Sequence, residues 1–77
     1  MASREEILET FSTNLRVERA RKHYSQEYLA EKAEISQEYL ARLETKKYNP
    51  TLVIVVKLAE ALEVSLDTLM PSNEFLK

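Results

Sequence analysis

Seventy-seven residues make one small domain and leave no room for a second, so a single domain over residues 1–77 is expected. The absence of Cys excludes disulfides, thiolate catalysis and sulfur-bound metal, and a lone His adds no ligand set, so neither metal nor cofactor is expected. The net charge of −2 is uneven: residues 13–50 hold eight Lys/Arg against six acids, while the two flanking segments are each acidic by two charges, which leaves the middle able to meet an anionic partner.

The start, MASREE, is polar and acidic rather than a signal peptide, and no run approaches the 18 apolar residues of a membrane span. A cytoplasmic protein without membrane contact is expected. Ser3-Arg4-Glu5-Glu6 reads as a capping box, a serine N-cap answered by a glutamate three residues on. Behind it Leu8, Phe11, Leu15 and Arg19 recur at helical spacing, predicting a helix from about 4 to 22, either continuous or broken near Ser12-Thr13. The apolar part of that stripe is core. Arg19 on the same stripe needs a partner, because an unpaired buried charge is costly. Glu44 is the natural one, and the pair is read as structural. His23, between Lys22 and Tyr24, reads as a surface residue at a helix C-terminus, where positive charge suits the dipole. Tyr24 is expected to plug the core beside Leu29.

Residues 25–44, SQEYLAEKAEISQEYLARLE, hold two short amphipathic segments, each opened by the string Ser-Gln-Glu-Tyr-Leu-Ala. Ser25 and Ser36 stand at the N-cap positions. Leu29, Ala30 and Ala33 share one face of the first segment, and Leu40 and Leu43 point inward from the second. Gln37, Glu38, Ala41, Arg42 and Thr45 then share the outward face of the second segment. Two helices this short and this tightly joined must cross at a large angle, which is a helix-turn-helix.

Residues 52–56, LVIVV, favour a strand by β-branching alone. A strand would lack a partner, however, and KLAEAL continues as helix after the opening signal Pro50-Thr51. A helix to about residue 62 is expected, with Leu52, Val55, Leu58, Ala59 and Leu62 inward and Val53, Ile54 and Val56 outward. Exposed apolar residues in a cluster mark a contact surface. Ser65 is expected to cap a last short helix through Met70, closed by Pro71. Phe75 and Leu76 of the tail are expected to fray unless they dock.

The stretch LRVERARKHYSQEYLAEKAEISQEYLARLE, then Pro50 and KLAEALEVSLDTL, resembles the phage repressor and Cro family of helix-turn-helix regulators, also called the xenobiotic-response-element family. The resemblance spans about residues 11 to 70 and rests on Arg19, Gln26, Leu29-Ala30, Ile35-Ser36, Leu40, Glu44 and the Leu58-Ala59, Leu62, Val64-Ser65 pattern. It implies an all-α, compact five-helix bundle, a second motif helix that enters the DNA major groove, a homodimer and the same Arg19–Glu44 pair. The chain departs from the family where glycine is usual, at His23, Glu34 and Lys46. It contains no glycine at all.

The expected function is therefore a sequence-specific transcriptional regulator that binds double-stranded DNA at a two-fold symmetric operator. Gln37, Glu38 and Arg42 are the candidates for base readout: Gln suits adenine, Arg guanine and Glu the cytosine amino group. Ser25, Gln26, Tyr28, Lys46 and Lys47 are the candidates for phosphate contacts that fix register. Val53, Ile54, Leu66 and Met70 are the candidates for a dimer interface. The alternative is an antitoxin-like or bridging interaction module of the same fold. An enzyme is disfavoured, since no phosphate loop, metal-ligand spacing or nucleophile–base set is present.

Overall fold

The computed structural model describes residues 2–71, so Phe75 and Leu76 lie outside the described residues. Among the described residues it is all-helical, with five helices in the order α1 (Arg4–Arg21), α2 (Gln26–Lys32), α3 (Gln37–Glu44), α4 (Leu52–Leu62) and α5 (Leu66–Leu69). The ensemble measures 34 × 23 × 20 Å.

The starts of the helices are written in hydroxyls. Ser3, Ser25, Ser36 and Thr51 are extended N-caps whose side chains accept the N–H of Glu6, Tyr28, Tyr39 and Ile54 respectively. Ser3 and Glu6 form the full capping box, and the Ser3 backbone N–H holds the Glu6 carboxyl below the usual carboxylate range. Ser65 precedes α5 but makes no side-chain cap bond; its hydroxyl lies 3.2 Å from that of Thr68 instead. α1 is continuous through Ser12, which is buried and donates back to the Glu9 carbonyl, so the alternative of a break there is discarded.

The stops of α1 to α4 are equally uniform and have no glycine to help them. His23, Glu34, Lys46 and Glu63 take φ of 59°, 60°, 64° and 60°. Behind each, the N–H of the next residue reaches back five positions: Tyr24 to Arg19, Ile35 to Ala30, Lys47 to Arg42 and Val64 to Ala59. That is the Schellman motif four times over. Each costs of order 1 kcal/mol of left-handed strain in a residue with a Cβ. Tyr24, Ile35 and Val64 offset it by packing against the core, as the motif's apolar follower does. Lys47, the fourth follower, is exposed.

The core is built of Phe11 and Leu15 from α1, Leu29 and Ala30 from α2, Leu40 and Leu43 from α3, Val55, Leu58, Ala59, Ala61 and Leu62 from α4 and Leu69 from α5, with Ala33 of the turn. Burying a large side chain of this kind is worth about 1.5–3 kcal/mol. Leu52 departs from expectation at 73% exposed. Its helical phase is correct, but it is the first residue of α4, and that turn overhangs an apolar groove of about 400 Å³ instead of the packed core. Ile7, Leu8, Phe11, Pro50, Val55 and Met70 line that groove with it. Ile54, expected outside, and Met70, a dimer-interface candidate, are partly buried against the core, whereas Val53 and Leu66 are exposed.

Candidate nucleic-acid interface

α2 and α3 are joined by the left-handed turn at Glu34, with Ile35 packed inward and Ser36 opening α3. The turn fixes which side of α3 faces out. Leu40, Leu43 and Glu44 are at most 2% exposed, so the helix is anchored along one side. Gln37, Glu38 and Thr45 are exposed and Ala41 and Arg42 half-exposed on the other. Glu38 and Arg42 stand one turn apart with Oε2 and Nη2 separated by 3.6 Å. The Arg42 guanidinium also lies over the ring of Tyr48, 5.5 Å from its centroid.

Beneath α3 is a buried polar junction. Arg19 donates from Nε to Glu44 Oε2 at 2.7 Å and from Nη2 to Oε1 at 3.0 Å, while its Nη1 holds the Tyr24 carbonyl at 3.0 Å. The bidentate geometry matches a planar guanidinium to a carboxylate. Gln26 Nε2 donates to the same Oε1 at 2.8 Å, and Arg16 Nη1 donates to the Glu44 carbonyl at the C-terminus of α3. One carboxylate thus ties α1, α2 and α3 together. No buried side-chain polar atom among the described residues lacks a partner.

The geometry gives Gln26 a partner within the protein. Expected at a phosphate, it is half-buried with its amide turned to Glu44, because a carboxylate taken out of water gains more from a third donor than one exposed amide gains elsewhere. The other phosphate candidates sit at the surface. Ser25 is occupied as the α2 cap, and Tyr28 is 46% exposed with its ring edge-on to Tyr24 at 4.7 Å. Lys46 reaches across to Glu9, Nζ to Oε1 at 2.6 Å, and that hydrogen bond holds Glu9 below the usual carboxylate range. Lys47 is exposed beside it. Arg16 and Tyr48 escaped the sequence reading. Arg16 lies three residues before Arg19 on the same helix face, a signal that was legible, whereas Tyr48 sits in a turn where no periodicity speaks. Among the described residues no cluster of His, Asp or Glu could hold a metal. No helix there is long and apolar enough to cross a membrane.

Residues 15–69 match the Helix-turn-helix family, which spans the junction, the turn and α3 to α5. The chain belongs to that family. Its resemblance to the Cro and repressor type holds, and this helix-turn-helix protein is a DNA-binding transcription regulator in class. It is similar to the restriction-modification controller protein C.AhdI from Aeromonas hydrophila, at 35% identity over 82% of this chain and 96% of that one, with a TM-score of 0.79. It is also similar to a hypothetical transcription factor, NHTF, from Neisseria, at 28% identity over 96% of this chain and 87% of that one, with a TM-score of 0.82. No curated protein matches.

Proposed function

We propose that this helix-turn-helix protein is a single-domain regulator that binds a two-fold symmetric operator as a homodimer, laying α3 of each subunit in the major groove. The observation that carries the reading is the contrast across α3: an inner edge locked by Leu40, Leu43 and Glu44, and an outer edge that offers Gln37, Glu38 and Arg42. A reading helix must be rigid beneath and polar above, since base contacts carry specificity only when their donors arrive in fixed register. Lys47 and the Tyr28 region would hold phosphates. Lys46 would do so by exchanging Glu9 for a phosphate oxygen. Occupancy of a promoter is then the regulatory mechanism, and the likeness to a restriction-modification controller makes such a promoter the first DNA to try. Exposed Leu52, Val53 and Leu66 favour a second copy at the α4–α5 side. The same residues are also what a bridging module of this fold would use.

The test is selection of duplexes from a random library, followed by sedimentation of the complex. The expected result is a two-fold symmetric enriched sequence with half-site centres about 34 Å apart, bound by two copies. Absence of any enriched sequence, or a complex holding one copy, would overturn it.

A further inference from the structure

The loop after α3 carries a half-exposed aromatic side chain that reaches back onto that helix. Tyr48 is 45% exposed, and its ring bridges two residues of α3. On one side it meets Tyr39, centroids 5.7 Å apart and planes tilted by 35°; on the other it lies beside the Arg42 guanidinium at 5.5 Å. Tyr39 is itself packed against the core, so the order runs core, Tyr39, Tyr48, Arg42. The backbone holds this in place: Lys46 turns the chain through the left-handed region, and Lys47 N–H closes on the Arg42 carbonyl at 2.8 Å. The next residue is Tyr48, returned over the residue whose carbonyl closed the turn. Glu38 meets Arg42 from the preceding turn of α3 at 3.6 Å.

We propose that Tyr48 is a positioning residue for base readout: its ring holds the Arg42 guanidinium by a cation–π contact, with Glu38 at its end, so that the remaining N–H groups of Arg42 arrive at the base edge already aimed. The inference rests on the reading of α3 as the recognition helix and adds a specificity determinant outside it. A free arginine must surrender most of its rotamer freedom to make a bidentate contact, and one held over a ring has surrendered part of it beforehand. The ring face supplies attraction to a cation without occupying the N–H donors, which an anionic partner alone would do. Glu38 occupies one nitrogen loosely and can release it. A cover for Tyr39 is the plain structural role of Tyr48, and leucine would perform that role equally well. Leucine offers a guanidinium no ring face.

The test uses a duplex enriched from a random library by the unmutated protein, and a scrambled duplex of the same composition. Tyr48→Leu should weaken the enriched duplex about two- to fivefold, relax preference at the base pair that Arg42→Ala also relaxes, and leave the scrambled duplex unchanged. Tyr48→Phe should retain both affinity and preference. In an Arg42→Ala background, Tyr48→Leu should cost nothing further. In the unmutated protein, ring current should move the Arg42 side-chain proton resonances upfield, a readout independent of whether any variant folds. Random-coil positions for those resonances, equal weakening on both duplexes, or full additivity in the double variant would each overturn the positioning role while leaving α3 as reader. Enrichment of no sequence at all would instead remove the readout reading, and this role with it.

Discussion

Glu44 and Glu38 stand on the same eight-residue helix, each beside an arginine, and they do opposite things. Glu44 is 2% exposed and receives three side-chain hydrogen bonds at 2.7–3.0 Å, from Arg19 twice and from Gln26. Glu38 has its side chain 80% exposed and makes one contact with Arg42, at 3.6 Å. The same two residue types thus give a structural clamp on one side of α3 and an exchangeable pair on the other. Burial decides which. A carboxylate removed from water must be fully satisfied, whereas one left in water gives up its partner at little cost. The proposed reading of α3 uses both kinds: the clamp fixes its register, and the loose pair would be traded for DNA.

The largest test of this contrast is to remove each carboxylate. Glu44→Ala leaves Arg19 without its carboxylate and Gln26 without its acceptor. It should cost about 3–5 kcal/mol, toward the lower end because Arg19 retains some solvent, out of a total that for small domains is about 5–15 kcal/mol. Glu38→Ala should change stability by no more than about 0.5 kcal/mol. Urea denaturation of the two variants side by side decides it; similar midpoints would mean that burial is not what separates them.

Gln26 sharpens the boundary between clamp and surface, because it was expected on DNA and is found on Glu44. Gln26→Ala should destabilise by about 1.5 kcal/mol, the value of a hydrogen bond to a charged group. The salt dependence of DNA binding should keep its slope. A loss of about one unit of slope, with unchanged stability, would return Gln26 to the phosphates and leave the clamp with one member fewer.

How far the sequence carries the reader follows the same division. The four capped starts were legible because each needs only one hydroxyl followed by a periodic apolar run, as at Ser36 before Leu40 and Leu43. The Arg19–Glu44 meeting was legible because a charge on an apolar stripe has to find its opposite. The end of α4 near residue 62 was legible, but the left-handed conformation of Glu63 that closes it was not. With no glycine in the chain, nothing local marks a left-handed residue, and the stop is set by Val64 packing inward after it. Leu52 shows the limit of periodicity from another side. Phase places a residue on the correct face, yet whether anything lies beneath that face depends on where the neighbouring helix ends. The contact of Tyr48 with Arg42 needed the turn at Lys46, which is again a left-handed residue without a glycine.

The finest test asks whether burial or distance governs these pairs, since two surface pairs are as short as the clamp. Lys46–Glu9 is 2.6 Å and Lys22–Glu63 is 2.7 Å, yet both carboxylates are exposed. In each, the lysine's hydrogen bond holds the glutamate below the usual carboxylate range, and Glu63 in turn holds Lys22 above its usual value. Because the folded-state values of Glu9 and Glu63 are depressed, the unfolded chain binds more protons through that window, and stability rises with pH across it. Their contribution is therefore complete above the usual carboxylate range and is lost as pH falls through the depressed values. The Lys22 contribution fades only at the alkaline end, as pH passes its raised value. If burial governs, Glu9→Gln with Glu63→Gln should lower the melting midpoint slightly at about pH 7, and the two curves should converge only as pH falls below the depressed values of the two carboxylates. If distance governs, the double variant should lose at neutral pH as much as Glu44→Ala does. That outcome would break the comparison, because a pair open to water would then be holding the fold as firmly as the buried one.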